Sequence, residues 1–196
     1  MNDLDAYRGQ LVPQLHIDES VVAGGGSCGE HDSAQNLSLP MIEHLKLLAT
    51  AVCSAEDSVV ITSANLEFPG PEIVFVNKAF TRMTGYGPTE AIGQTPRILQ
   101  GEKTDRTILE RMKLDLKAGG VFYGQTINYR KDGREFVNEW HIEPIYNDRQ
   151  EITHYLAIQR DVTERQNQQN RLIYEANHDS LTGLYNRGYF RTELQK

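Results

Sequence analysis

The stretch Gly93-Gln94-Thr95-Pro96-Arg97-Ile98-Leu99-Gln100-Gly101, followed by Glu102-Lys103-Thr104-Asp105, sits midway along the chain and changes the meaning of what flanks it. Glycines close it at both ends. Pro96 fixes its own φ and brings no N–H, and Gln94, Thr95, Arg97 and Gln100 are the polar side chains of the stretch. Before it the residues read as strands. SVVITSA from Ser58 and EIVFVNKAF from Glu72 are rich in β-branched and aromatic residues, and the turn-forming NLEFPGP separates them. Short helical pieces follow at Asn77 to Thr84 and Pro88 to Ile92. A longer helix over about Asp105 to Ala118 stops at Gly119-Gly120.

Three more strands come after the helix. VFYGQTINYRKDG and REFVNEWHIEPIYN make a hairpin about Lys131-Asp132-Gly133, and EITHYLAIQRDV follows the turn at Asn147-Asp148. Two strands, short helices, then three strands predict an α+β unit: a five-stranded antiparallel sheet with helices on one face. Period-two alternation puts Asn138, Trp140 and Ile142 on one face, Asn128 with Thr126 and Arg130, and Gln159 with Ala157 and Tyr155. Buried amides are costly without partners, so several on inward faces point to a polar ligand.

The ends differ from this centre. Residues 1–38 are polar, contain GGGSCGEHDS, and read as an N-terminal arm with a short helix around Leu4 to Leu15. Residues 39–54 predict an amphipathic helix with Met41, Leu45, Leu48 and Val52 at helical spacing, able to pack on a sheet or on a second copy of itself. Residues 164–178 predict a Gln- and Asn-rich linker helix. Val162, Gln166, Gln169, Ile173 and Ala176 recur there in steps of four and three, either as a solvated connector or as a polar coiled-coil seam.

Composition limits the function classes. The 196 residues carry a net charge of −7, with 39% hydrophobic and 24% charged residues. Acids and bases are interspersed, which argues against a nucleic-acid partner. No apolar run is long enough for a bilayer helix, and the N-terminus lacks a secretion signal. The expectation is therefore a cytoplasmic protein without a membrane partner. Only two cysteines occur, Cys28 and Cys53, in unrelated contexts, so neither a disulfide framework nor a metal site is expected.

Asn77 with Phe80, the Thr84-Gly85-Tyr86 turn, the NYRKDG hairpin and the closing DVT resemble a PAS domain spanning residues 55–163. Within PAS domains the loop is similar to that of the light-oxygen-voltage (LOV) subgroup, which reads GxNCRFLQG followed by TD. The resemblance implies a flavin, FMN or FAD, held by Arg97, Gln100, Asn128, Asn138 and Gln159. Lys113 stands where relatives often carry a second phosphate-facing Arg. It keeps the charge but loses the bidentate fork, which leaves the choice between FMN and FAD open.

The family's Asn-Cys pair is Thr95-Pro96 here. Proline has no nucleophile, so the cysteine–flavin bond of LOV photochemistry is not expected. Electron transfer is the chemistry left, with light, cellular redox state or both as input. Trp140 is the sole tryptophan, and it reads either as an electron donor or as plain core filling. Gln159 would report the flavin state, and Asp161 and the DVT corner would pass it to the linker helix. The rival reading is a PAS dimerisation module with another small ligand or none.

Asp179 to Arg187, DSLTGLYNR, resembles the opening of a GGDEF diguanylate cyclase domain in residues 179–196. The GGDEF signature loop does not occur before Lys196, so no catalytic residues are assigned. The expectation is the sensory half, or a truncated form, of a diguanylate cyclase. Because cyclic di-GMP joins two GTP molecules, a homodimer through the N-terminal and linker helices is expected too.

Overall fold

The computed structural model describes residues 39–193, so the predicted N-terminal arm and its short helix lie outside the described residues. The elements run α1 (Leu39–Ser54), β1 (Ser58–Ser63), β2 (Ile73–Val76), α2 (Lys78–Thr84), α3 (Pro88–Ala91), a 3-10 turn (Pro96–Leu99), α4 (Arg106–Lys117), β3 (Phe122–Tyr129), β4 (Glu135–Tyr146), β5 (Ile152–Asp161), α5 (Thr163–Asn177) and α6 (Arg187–Glu193). The strands form one sheet in the order β2-β1-β5-β4-β3, antiparallel at every pairing. The predicted α+β architecture is the one observed.

Local chemistry sets the element ends. Asn77 caps α2 by accepting from the Phe80 N–H, and Gly85 closes that helix at φ 79°. Asp105 caps α4 through the N–H groups of Thr107 and Ile108. Gly133, at φ 83°, allows the tight β3–β4 turn.

The core lies between the sheet and the helices α2 to α4. Phe80, Ala91, Leu99 and Leu116 from the helical side meet Val60, Val76, Phe122, Trp140, Ile142, Tyr155 and Ala157 from the strands. Each fully buried Phe side chain, such as Phe80 or Phe122, contributes about 1.5–3 kcal/mol through burial. A register shift between Ile61 and Thr62 pairs Thr62 with Ile73 and Ile61 with Phe75. Ile73 thereby joins the core, while Phe75 turns to the other face of the sheet.

That outer face carries α1 and the start of α5. Cys53 of α1 packs against Phe75, Val59 and Ile61. Of the two partners the sequence leaves open for the stripe Met41, Leu45, Leu48 and Val52, the sheet is not the one it meets, and all four residues stand exposed. The side of α1 carrying Cys53 meets the sheet, offset from the more hydrophobic stripe. Helix α5 is tied down over its first turns, where Gln166 Nε2 donates to Gln125 Oε1 at 3.0 Å and Arg165 pairs with Glu139 at 3.0 Å. Beyond them Leu172, Ile173 and Tyr174 are exposed. Val162 alone of the predicted seam is buried, and no residue within α5 is.

Candidate functional site

The register of three neighbouring strands brings the predicted amides together. Across β3–β4, Asn138 lies opposite Thr126 and Asn128 opposite Phe136, which makes the two asparagines diagonal neighbours on one face. Across β4–β5, Trp140 lies opposite Gln159 and Asn138 opposite Asp161. All three amides point into the core: Asn138 is 0% exposed, Asn128 1% and Gln159 6%. Asn138 Nδ2 donates to Asn128 Oδ1 at 2.9 Å and to Gln159 Oε1 at 3.5 Å. Asn138 Oδ1 is buried without a partner.

A buried amide with a free carbonyl oxygen costs about 1–3 kcal/mol unless something donates to it. The trio thus offers acceptor and donor atoms to a planar ring edge that carries both, and the pyrimidine edge of a flavin has that pattern. On this ground the residues fit the cofactor. Trp140, at 7% exposure, shares their face and packs against Phe122 with ring centroids 6.3 Å apart. Its indole is part of the core cluster as well as a neighbour of the amides.

Thr95 and Pro96 are half-buried, and Pro96 opens the 3-10 turn at a position whose N–H has no partner within the helix. Gln100 Oε1 accepts from an Arg106 guanidinium N–H at 3.0 Å. Arg97 is exposed. Its Nε donates to the Pro69 carbonyl at 2.7 Å, and its guanidinium sits 5.8 Å from the Phe68 ring centre.

Lys113 pairs with Glu67 at 3.3 Å, and Lys117 pairs with the other oxygen of Glu67 at 2.5 Å. Lys117 first, then Lys113, holds the Glu67 carboxyl below its ordinary range. Arg97 and Lys113 therefore both grip the β1–β2 loop, and the Glu67 carboxylate lies between Lys113 and Lys117. Neither cation touches the amide trio.

Cys53 packs on the outer face of the sheet, opposite the amides. Burial raises its thiol above the ordinary value, which disfavours the reactive thiolate. A surface cleft at the β3–β4 turn, lined by Met83, Gly85 and Arg130 among others, contains none of the amides. Three of its cations are committed to carboxylates: Lys131 to Glu90, Arg134 to Asp132 and Arg130 to Asp161. Among the described residues, no group of three or more His, Cys, Asp or Glu could hold a metal ion. No helix among them is long and apolar enough to cross a membrane.

Sequence reasoning placed Asp161 at the exit to the linker, and the structure shows what it holds. Asp161 binds the Arg130 guanidinium and accepts from the Thr163 N–H at 2.9 Å. Thr163 Oγ1 in turn accepts from the Val137 N–H at 2.8 Å. Sequence reasoning missed Thr104, which is buried and donates its hydroxyl to the Ile127 carbonyl at 2.8 Å while accepting from the Gly101 N–H at 2.9 Å. The Thr-Asp pair preceding the helix was the available signal.

The C-terminal segment forms a tight joint. Asp179 Oδ1 accepts from the Leu181 and Thr182 N–H groups at 3.2 and 3.0 Å, and Gly183 adopts φ 71°. The rings of Tyr174, His178, Tyr185 and Tyr189 stack in succession, with centroids 3.9–4.4 Å apart.

Comparison with known proteins agrees with the fold. The PAS domain family model matches residues 56–164, and the chain belongs to the PAS family. It is 32% identical over 146 residues to phototropin-2 of Oryza sativa subsp. japonica, covering 74% of this chain and 15% of that protein. It is 40% identical over 91 residues to the blue-light photoreceptor of Listeria monocytogenes, covering 46% of this chain and 36% of that one. A structure described as "Flavin Analogue Sheds Light on Light-Oxygen-Voltage Domain Mechanism" aligns at TM-score 0.53 and 30% identity, over 66% of this chain and 96% of that one. The PAS domain found here is thus similar to LOV sensory domains, and the chain spans less than half the length of either curated relative.

Proposed function

We propose that the chain is a flavin-binding LOV-type sensory module that works without a photoactive cysteine and regulates a diguanylate cyclase through α5. The carrying observation is the buried trio Asn128, Asn138 and Gln159 with its unpaired Asn138 Oδ1. A flavin, FMN or FAD, supplies electron acceptance under light or a reductant. Asn128 and Asn138 orient its ring edge, Gln159 senses the hydrogen-bonding change there, and Gln100 and Arg97 contribute from the loop. Arg97 and Lys113 are the cations within reach of a ribityl phosphate if the Glu67 loop yields.

Pro96 supplies no thiol, and Cys53 lies on the wrong face of the sheet to replace it. Trp140 is the aromatic neighbour best placed to give an electron. Output passes through Asp161 and Thr163 into α5, and from there through the stacked rings to the segment that resembles the start of a GGDEF domain. Exposed apolar residues on α1 and α5 support a homodimer through these two helices.

An absorption spectrum of the purified chain, refolded with FMN or FAD if colourless, is the test. Flavin bands are expected, with a blue-light response that survives replacing both cysteines by serine. A chain that takes up no flavin favours a PAS module with another ligand or none. A response lost in the double serine variant overturns the cysteine-independent reading.

A further inference from the structure

The connection between β1 and β2 holds a large aromatic side chain out of the protein. Phe68 is 85% exposed. The backbone around it is pinned at three points. The Glu67 N–H donates to Asn65 Oδ1 at 3.0 Å, the Gly70 N–H donates to the Glu67 carbonyl at 2.6 Å, and the Pro69 carbonyl accepts from Arg97 Nε at 2.7 Å. Gly70 sits at φ 116°, a conformation that residues with a Cβ rarely adopt. A ring presented on a fixed turn costs little ordering when something flat stacks on it.

Cations surround this ring. The Arg97 guanidinium lies over it, 5.8 Å from the ring centre. With Nε bound to Pro69, the two terminal nitrogens of Arg97 make no hydrogen bond among the described residues and are left to fork onto a phosphate. Lys113 and Lys117 hold Glu67, the residue before Phe68, at 3.3 and 2.5 Å. Three cations against one carboxylate leave a net two positive charges around the turn.

A phosphate monoester carries about 1.5–2 negative charges, and the diphosphate bridge of FAD is similar, so charge alone does not separate FMN from FAD. What FAD adds is an adenine, whose π face stacks on any aromatic side chain open to receive it. Phe68 is open in that way, and it adjoins the cations suited to the phosphates.

We propose that Phe68 is a specificity residue for the flavin: it stacks the adenine of FAD, so the β1–β2 turn selects FAD over FMN. The inference rests on the flavin reading above and narrows it to the dinucleotide. Arg97 and Lys113 take the diphosphate, Phe68 takes the base, and the amide trio takes the ring edge.

The test is a titration of the whole flavin-free chain with FMN and with FAD, followed by flavin fluorescence. The wild type is expected to bind FAD roughly tenfold more tightly than FMN, the scale of one base stacked on an aromatic ring. Phe68→Ala is expected to lose that preference by weakening FAD alone, and Phe68→Trp to keep it. Because Phe68 is exposed, neither change is expected to lower the thermal midpoint of the flavin-free chain, which separates a lost platform from a lost fold.

Equal affinities for the two flavins in the wild type overturn the proposal and leave the flavin reading standing. A Phe68→Ala chain in which FMN weakens as much as FAD also overturns it, because the residue then only shapes the turn. So does a Phe68→Trp chain without the preference. A wild-type chain that takes up neither flavin removes the flavin reading, and this inference with it.

Discussion

Asn138 gives a side-chain hydrogen to Asn128 across the β3–β4 hairpin at 2.9 Å and receives none at its own buried Oδ1. The pair is thus half-satisfied, a state that a ligand can complete. Asn128→Leu is expected to strip Asn138 of its short bond and to cost about 1–3 kcal/mol in the flavin-free chain. The double Asn128→Leu, Asn138→Leu change removes both partners and is expected to be neutral or stabilising. Both variants should lose flavin uptake. Urea midpoints with flavin absorbance check this, and a double variant less stable than the single one contradicts it.

Gly101 has no room for a side chain. A Cβ there would lie 2.3 Å from the Tyr129 ring, whose hydroxyl accepts from the Lys103 N–H at 3.0 Å. Gly101→Ala is expected to displace Tyr129 and destabilise by about 1–3 kcal/mol, as overpacking does. Combining it with Tyr129→Ala should recover part of the loss, read from the same unfolding curves.

Cys53 has a thiol whose pKa burial raises above the ordinary 9.0, an effect partly opposed by Lys78. The folded chain therefore holds this proton more tightly than the unfolded chain. The resulting stability is fully present below about pH 9 and is lost as pH rises through the folded-state value. In a Cys28→Ser background, Cys53 is expected to alkylate slowly at pH 8 until denaturant is added. Rapid labelling of the native chain contradicts this, as does an alkaline stability loss that Cys53→Ala leaves unchanged.

Glu67 shows the opposite sign. Lys117 and then Lys113 lower its carboxyl below the ordinary 4.5, so its contribution is present above that value and is lost as pH falls through the lowered one. Fully exposed pairs of this kind add little stability, and their expected effect is on ligand choice. Glu67→Gln frees two ammonium groups, so it is expected to favour FMN over riboflavin by roughly tenfold at low salt, the scale of one charge-assisted contact. Equal affinities in a titration of both flavins contradict this.

Much of the fold was legible because its signals are local. Gly133, Gly85 and Asp105 mark turns and caps within three residues of what they control, and period-two alternation placed Asn128, Asn138 and Gln159 on inward faces. Side-chain destinations were less legible. Arg97 reaches Pro69 and Lys113 reaches Glu67 across 28 and 46 residues, and no local pattern encodes such contacts. The side of α1 that meets the sheet was not legible for a related reason. Hydrophobic spacing favoured Met41 through Val52, whereas the contact with Phe75 goes to Cys53, one step round the helix.

Asn77 uses every bond an amide can make. Oδ1 accepts from the Val59 and Phe80 N–H groups, Nδ2 donates to the Val52 and Asp57 carbonyls, and its backbone N–H reaches the Val59 carbonyl. One side chain thus rivets the last turn of α1, the entrance to β1 and the cap of α2 at a single point, while the rest of α1 stands clear of the sheet. A helix fastened at one end behaves as a lever: it can swing or roll about its base but cannot slide along the sheet. Any force reaching that rivet is converted into angle rather than displacement, and the angular gain grows toward Leu39, at the far end of the arm.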